Sequence, residues 1–284
     1  MAPDMRNFTH NHAVLALNTA TLGHNVDGQG AGWSPERVID ACAAHGLGGI
    51  VFWRREIGSR AIEIGDRVRA SRMQVGGLCR TPFIVGRDAG SADEVKASID
   101  MAAALGAPVL TIVTGGTKPS SKGVVETQKI LAERLAHLAL YAADRAVGLA
   151  LEPLNPMFGG NRTCLFTVAE ALKICDQIGA PNLGVAVDVY HVWWDTTLPD
   201  ALRQAKRHVI GYHVCDWLEN TKDMLLDRGM MGDGVADLRA LRGAVEGTGY
   251  LGLCEVEIFS AQNWWKRDPA EVLDVVVDRF RTYC

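Results

Sequence analysis

Four side chains that can bind a metal ion or move a proton lie at the ends of short apolar runs. They are Glu152 after residues 147–151, Asp188 after 184–187, His213 after 209–212 and Glu257 after 251–256. Short apolar runs rich in β-branched residues are typical of buried strands. We therefore predict that each of four successive strands presents one such side chain at its carboxyl end.

Three carboxylates and one imidazole form a donor set for one divalent cation. Oxygen-rich ligation with a single nitrogen favours manganese, magnesium, cobalt or iron(II) over a thiolate zinc site. The alternative is an unrelated cap or salt bridge at each strand end, but four successive strands favour the metal site. Glu152 and Glu257, on strands five and eight, would approach a substrate from opposite sides. This arrangement predicts proton abstraction next to a carbonyl through a metal-bound enediolate.

Strand-like and helix-like segments alternate along the whole chain. The other strands are predicted at residues 14–22, 49–53, 74–80 and 108–114, and the helices at 35–45, 59–73, 91–105, 124–146, 167–178, 198–207, 237–246 and 269–283. Helix starts are indicated by Ser34-Pro35, by Ser91 and by the capping box at Thr167. Eight strand-helix units predict a single (β/α)8 TIM barrel over residues 1–284, in which all strand ends converge on one face.

Five short motifs together resemble the xylose isomerase-like TIM barrels. They are Glu152-Pro-Leu-Asn155, Asp188-Val-Tyr-His191, His213-Val-Cys-Asp216, Asp227-Arg228-Gly229 and the segment from Tyr250 to Glu257. The resemblance is to the sugar phosphate isomerase/epimerase branch, with relatives of the D-tagatose 3-epimerase and inosose dehydratase types. It implies that Glu152, Asp188, His213 and Glu257 bind the metal, and that Glu152 and Glu257 are the catalytic acid and base.

The resemblance also assigns two side chains to the substrate. It implies that His191 contacts a substrate hydroxyl and that Arg228 binds substrate oxygens from the loop after strand seven. Two alternatives stay open, since His191 could instead orient a metal ligand and Arg228 could form an ion pair on the surface.

Glu255 competes with Glu257 for the role of metal ligand, because alternate residues of a strand face the same side. The place of Glu257 nearer the strand end, and its spacing from Tyr250, favour Glu257. We expect Glu255 to lie deeper and to pair with a basic residue such as Arg54 or Arg80.

Tryptophans follow several predicted strand ends. They are Trp53, Trp193, Trp194, Trp217, Trp264 and Trp265. An aromatic ring can stack on the apolar face of a sugar or cyclitol and can exclude water from a site. Trp53 and Trp217 are the predicted substrate contacts, and the alternative for each ring is packing within the protein or at a subunit interface.

The endonuclease IV type of DNA-repair enzyme shares part of this pattern but fits less well. Its three-zinc site needs further histidines at early strand ends and an Asp-Arg-His motif, where this chain has Trp53-Arg54, Cys79-Arg80 and Asp227-Arg228-Gly229. The net charge of -4 also offers no basic surface for nucleic acid.

The composition points to a globular protein in the cytoplasm. Apolar residues make up 48% of the chain, yet no apolar stretch is long enough for a membrane span, and the polar first twelve residues do not resemble a signal peptide. Seven cysteines without a CxxC spacing indicate reduced thiols. The resemblance implies a homo-oligomer, either a dimer or a tetramer.

The leading hypothesis is a metal-dependent isomerase or epimerase that acts on a sugar or cyclitol. Manganese is the expected ion, with magnesium, cobalt, iron or zinc as alternatives. A dehydratase or β-elimination lyase acting on a keto-inositol or keto-sugar stays open, as does a non-catalytic barrel subunit. No basic cluster beyond Arg228 is evident in the sequence, which favours an unphosphorylated substrate.

Overall fold

The computed structural model describes residues 6–117 and 123–284 and contains a closed barrel of eight parallel strands. Each strand pairs with the next one along the chain, and the last pairs with the first. The strands are β1 (Leu15–Asn18), β2 (Gly49–Trp53), β3 (Gln74–Cys79), β4 (Val109–Ile112), β5 (Gly148–Leu151), β6 (Leu183–Asp188), β7 (Val209–Val214) and β8 (Cys254–Val256). The predicted (β/α)8 TIM barrel is confirmed.

Helices connect the strands on the outside of the barrel. They are α1 (Pro35–Ala44), α2 (Arg54–Ile57), α3 (Ala61–Ala70), α4 (Ala92–Leu105), α5 (Val124–Ala143), α6 (Val168–Ile178), α7 (Val189–Val192), α8 (Leu198–Ala205), α9 (Leu238–Glu246) and α10 (Pro269–Tyr283). Short 3-10 turns lie at Thr19–Leu22, Pro156–Phe158, Lys206–His208 and Trp264–Lys266. The predicted caps form, since Ser91 accepts from the Glu94 amide and Thr167 from the Glu170 amide.

Packing explains why β3 forms despite two adjacent glycines, which strands normally disfavour. A methyl group on Gly76 would lie 3.0 Å from Val51 Cγ2 and 3.1 Å from Leu253 Cδ1. A side chain at Gly76 would therefore press on these two neighbours, so close packing favours glycine at this position of β3.

Two segments near the amino terminus differ from the sequence prediction. The first strand ends at Asn18 and continues as the 3-10 turn Thr19–Leu22, because the Asn18 side chain accepts from the Ala20 amide. The helix predicted over residues 59–73 is the shorter α3, and the sequence prediction missed α2, which precedes it and ends at Gly58, whose φ of 54° and ψ of -129° do not fit a helix.

All seven cysteines are buried and unpaired, as the sequence predicts for reduced thiols. In residues 6–117 and 123–284, no helix combines the length and the apolar content that crossing a membrane requires.

Candidate metal centre

Glu152, Asp188, His213 and Glu257 lie together at the carboxyl ends of β5 to β8. One potential ligand atom from each lies within 4.8 Å of the others, so this group could hold a metal ion. All four side chains are buried, with residue exposures of 6%, 0%, 2% and 4%. Asp188 is the last residue of β6 and His213 lies in β7, while Glu152 and Glu257 directly follow β5 and β8.

Strand β8 directs two carboxylates to the same side of the sheet, as the alternation rule predicts. The amide nitrogen of Asn18 donates to both, at 2.6 Å to Glu255 Oε1 and 3.0 Å to Glu257 Oε1. Glu255 pairs with His213 in the strand register, and it also borders a cavity of about 150 Å³ that reaches the first residues of β3 and β4. Glu255 therefore lies deeper in the barrel than Glu257.

The expected pairing of Glu255 with Arg54 or Arg80 is wrong. Arg54 donates to Ser98 Oγ at 2.7 Å, and Arg80 donates to the carbonyl of Thr81 at 3.1 Å. The neighbours of Glu255 are Asn18 and His213 instead, because β1 and β7 flank β8 in the closed sheet.

The His213 ring has a carboxylate at each nitrogen. Nδ1 lies 2.9 Å from Glu152 Oε1 and 3.9 Å from Glu257 Oε2, while Nε2 lies 3.4 Å from Glu255 Oε2. Burial alone would lower the pKa of His213, but the charge of Glu255 and the bond to Glu152 raise it well above its usual value. A carboxylate at Nε2 fixes the ring so that Nδ1 faces Glu152 and Glu257, an arrangement common at metal-binding histidines.

Asp188 and Glu257 share one guanidinium group. Asp188 Oδ1 accepts from the Tyr190 amide at 2.8 Å and so begins helix α7, and its Oδ2 accepts from Arg228 Nη1 at 3.0 Å. The same nitrogen donates to Glu257 Oε2 at 3.2 Å. Arg228 therefore orients two of the four candidate ligands from the loop after β7.

Arg228 is buried, with an exposure of 2%, so the alternative of a surface ion pair is wrong. Its guanidinium lies between the rings of Tyr190 and Phe259, at 4.5 Å and 4.3 Å from their centroids. Its Nε has no hydrogen-bond partner among the described residues.

His191 is buried beside the centre but is not in the four-residue ligand group. Its Nδ1 lies 3.4 Å from the Asn155 amide, and its Nε2 lies 3.3 Å from Arg228 Nη2. Burial lowers the pKa of His191 to about 4, so the ring is neutral near pH 7. Since only one nitrogen of a neutral imidazole accepts a hydrogen bond, the two contacts compete.

Two residues near β1 support the centre and were not predicted from the sequence. Asn18 holds both carboxylates of β8, and its Oδ1 accepts from Trp53 Nε1 at 2.8 Å. Thr21 Oγ1 donates to the Val256 carbonyl at 2.9 Å and accepts from the Ile258 amide at 3.1 Å. Thr21 thereby fixes the backbone on both sides of Glu257.

The charges in the centre favour a bound cation. Burial, with a further contribution from the charge of Glu152, raises the pKa of Glu257 to about 8, and burial also raises the pKa of Glu255. Within residues 6–117 and 123–284, the charged groups that pair with the four buried carboxylates are Arg228 and His213. A divalent cation among the carboxylates would offset this repulsion, so the donor set fits such an ion.

A cavity of about 40 Å³ lies above the centre. It is lined by Trp53, Cys79, Arg80, Thr111, Val113, Glu152, Leu154, Phe158, Arg162, His191, Leu225, Arg228, Glu257 and Phe259. Three of the four predicted substrate contacts, Trp53, His191 and Arg228, are in this lining. Trp217 is not, because its ring packs on Tyr190 at 4.7 Å and on Trp193 at 5.6 Å.

The cavity contains more positive charge than the sequence indicated. Arg80, directly after β3, and Arg162, in the loop before α6, line it together with Arg228. The expectation that no basic cluster exists beyond Arg228 is therefore wrong. The barrel topology brings these residues together although more than sixty positions separate each from the next.

Comparison with protein families identifies the architecture. Residues 39–280 match the model of the family described as "Xylose isomerase-like TIM barrel". The chain belongs to this family. The crystal structure of the protein SMc04130 from Sinorhizobium meliloti 1021 matches this chain with a TM-score of 0.87 and 40% sequence identity. The match covers 95% of this chain and 98% of that one.

Two solved structures with lower sequence identity have the same fold. A structure of the IolI protein with a bound zinc atom has a TM-score of 0.79 and 20% identity, over 95% of this chain and 99% of that one. A D-allulose 3-epimerase from a Methylomonas species, in complex with D-allulose, has a TM-score of 0.73 and 18% identity, over 100% of this chain and 99% of that one.

Two curated relatives match only part of the barrel. Proteins of mouse and man, both provisionally named hydroxypyruvate isomerase, are 31% identical over 114 residues and 29% identical over 145 residues. These matches cover 38% and 48% of this chain, and the chain spans only 40% and 50% of the length of the two relatives. Proteins named as isomerases are thus among those whose sequences resemble this xylose isomerase-like barrel.

Proposed function

We propose that the protein is a divalent-metal-dependent isomerase or epimerase that moves a proton on the carbon next to a substrate carbonyl. The observation that carries this proposal is the convergence of two buried glutamates, Glu152 and Glu257, on the same cluster as Asp188 and His213. Both glutamates also line the cavity above the cluster, where a substrate carbon would lie between groups from β5 and β8.

Glu152, Asp188, His213 and Glu257 would hold the ion. A divalent cation bound there would polarise the substrate carbonyl and so acidify the neighbouring C–H bond. Manganese is the ion we propose, because hard oxygen donors dominate the set. The zinc in IolI makes zinc the first alternative to test.

Glu152 and Glu257 would divide the proton transfer between them. Burial raises the pKa of Glu257 to about 8 in the metal-free protein, and the charge of a bound cation would lower it, so that Glu257 would meet the substrate as a carboxylate able to accept a proton. Asn18 and Arg228 each bind one oxygen of Glu257 and keep the carboxyl group in position. Glu152 would act from the side of β5 as the partner base or acid.

Substrate orientation is assigned to the remaining polar groups of the cavity. His191 is neutral. The backbone amide of Asn155 and the guanidinium of Arg228 therefore compete for its one acceptor nitrogen. A substrate hydroxyl could therefore replace one of these contacts without loss of a hydrogen bond. Trp53, whose ring nitrogen donates a hydrogen bond to Asn18, would cover the apolar face of the substrate.

The names of the relatives suggest which substrates to try first. Hydroxypyruvate, D-allulose and other ketoses should be incubated in deuterated water with protein reconstituted with magnesium, and followed by proton NMR. We expect deuterium to enter at the carbon next to the carbonyl while the carbon skeleton and all oxygens are retained. Loss of water or of a larger group would instead identify a lyase, and absence of exchange with every compound would support a non-catalytic barrel.

Substitution of either glutamate tests the division of roles. Glu257→Gln and Glu152→Gln should each lower the exchange rate by about 10²–10⁴-fold, the usual contribution of a general acid or base. Glu219→Gln, which removes an exposed carboxylate from the loop after β7, should leave the rate unchanged. Near-normal exchange in either active-site variant would contradict the two-carboxylate mechanism.

A further inference from the structure

Three arginines from separate loops line the cavity above the metal centre. Arg80 follows β3, Arg162 precedes α6, and Arg228 lies after β7. The acidic groups in the same lining are Glu152 and Glu257, which belong to the candidate metal centre. The remainder of the cavity wall therefore has a net positive charge.

The three arginines differ in how their charges are balanced. Arg228 is fully buried and forms ion pairs with Asp188 and Glu257. For Arg80 and Arg162, no ion pair with a carboxylate is found within residues 6–117 and 123–284. Arg80 donates to the carbonyl of Thr81 and lies over the ring of Phe83, 4.4 Å from its centroid.

Neighbouring positive charges disfavour this arrangement. Burial lowers the pKa of Arg80, and the charge of Arg162 lowers it further. Burial likewise lowers the pKa of Arg162, with the charge of Arg228 adding to the effect. Half-buried cations that repel one another cost folding free energy unless an anion is bound between them, and such unbalanced charges are frequent at binding sites.

A second depression reaches Arg80 from the outside of the barrel mouth. It has a volume of about 340 Å³ and shares Trp53, Cys79 and Arg80 with the cavity. Arg54 and Arg55 also line it, with Asp88 as the acidic residue of the lining. An anionic solute that enters through this depression would meet Arg80 before it reaches the glutamates.

We propose that Arg80 and Arg162 bind an anionic group of the substrate, a carboxylate or a phosphate, at the end away from the carbon that exchanges its proton. A guanidinium group offers paired N–H donors that match either anion. This proposal rests on the isomerase function proposed above, to which it adds a substrate class: 2-keto acids or ketose phosphates in place of uncharged sugars.

Three compounds with a common three-carbon ketone skeleton distinguish a carboxylate, a phosphate and an uncharged substrate. Hydroxypyruvate has a carboxylate, dihydroxyacetone phosphate has a phosphate, and dihydroxyacetone is neutral. Calorimetric titration of the magnesium-loaded protein should show that at least one anionic compound binds more tightly than dihydroxyacetone by about tenfold or more, as expected for charged hydrogen bonds. The tighter of the two anionic compounds identifies the anion. Equal affinity for all three would overturn the proposal.

Arginine variants test whether these two side chains make the contact. Arg80→Met and Arg162→Met should each weaken binding of the preferred anion by about tenfold or more and change binding of dihydroxyacetone by less than about twofold. Arg87→Met removes an exposed cation from the same loop as Arg80 and should leave both affinities unchanged. An effect of equal size on the neutral compound, or no effect on the anion, would overturn the proposal.

Lysine variants and the salt dependence of binding provide two further tests of the contact between the arginines and the anion. If a methionine variant does not fold, Arg80→Lys and Arg162→Lys retain the charge without the paired donors and should show an intermediate loss. In the unmodified protein, the affinity for the anion should fall as the KCl concentration rises, and an affinity independent of salt would contradict the proposal. Deuterium exchange is a separate readout: selective anion binding without exchange would refute the isomerase function only, whereas exchange with neutral ketoses alone would refute the anionic substrate only.

Discussion

At the scale of single residues, the imidazole of His213 is the most constrained group of the centre. Carboxylates lie at both of its nitrogens, Glu152 on one side and Glu255 on the other. Glu255 has no place in the four-residue ligand group, yet it decides which nitrogen of the ring faces the other ligands. We therefore assign Glu255 to positioning and not to catalysis.

Glu255→Gln should weaken metal binding by about 10- to 100-fold, because loss of a carboxylate that orients a histidine ligand typically has an effect of this size. Manganese affinity, measured by titration against a competing chelator, is the direct readout. Glu133→Gln, an exposed site on α5, is the matched control and should bind the ion normally. If Glu255→Gln bound manganese like the control, His213 would not depend on Glu255 for its orientation.

The sequence reveals the candidate ligands more readily than their neighbours. Glu152, Asp188 and Glu257 stand out because a carboxylate ends an apolar run. Asn18 and Thr21 do not, since amides and hydroxyls are ordinary at strand ends. Arg162 could not be placed at all, because its position depends on the irregular loop after β5, which has no periodicity from which to predict it.

At the scale of elements, the 3-10 turn Thr19–Leu22 replaces the second half of the strand that the apolar pattern predicted over residues 14–22. Its Thr21 bonds the backbone before and after Glu257, and thereby links β1 to the end of β8. Local hydrogen bonding by Asn18 and Thr21 overrides the apolar character of residues 19–22. Helix starts were predicted well, because caps such as Ser91 and Thr167 act within four residues of sequence.

Thr21→Val should lower the free energy of unfolding by about 1–3 kcal/mol, because a buried carbonyl and a buried amide would lose their partner. Urea denaturation is a suitable measurement. Thr248→Val also removes a hydroxyl that donates to a backbone carbonyl, but at a half-buried position where water can replace it. The control should therefore change stability by less than about 0.5 kcal/mol, and a loss of equal size in both variants would refute a special role for Thr21.

At the scale of the whole molecule, ion binding by the clustered carboxylates would be coupled to folding. An ion that binds only the folded barrel stabilises it by about 2.7 kcal/mol at a concentration a hundred times Kd. For a chain of this size, the melting temperature should rise by about 4–5 °C. Differential scanning calorimetry with and without chelator measures the shift. Asp188→Asn should largely remove the shift, and a shift of full size in that variant would place the ion elsewhere.

Closure of the sheet between β8 and β1 also bears on how the protein acquires its ion during biosynthesis. Glu255 and Glu257 belong to the last strand, and Asn18 on the first strand holds them in place. A nascent chain whose last strand is still inside the ribosome has only three of the four donors and nothing for Asn18 to hold. If these four donors hold an ion as proposed, the complete site would form only after translation has passed β8, so the metals available to the finished chain would decide which ion is bound.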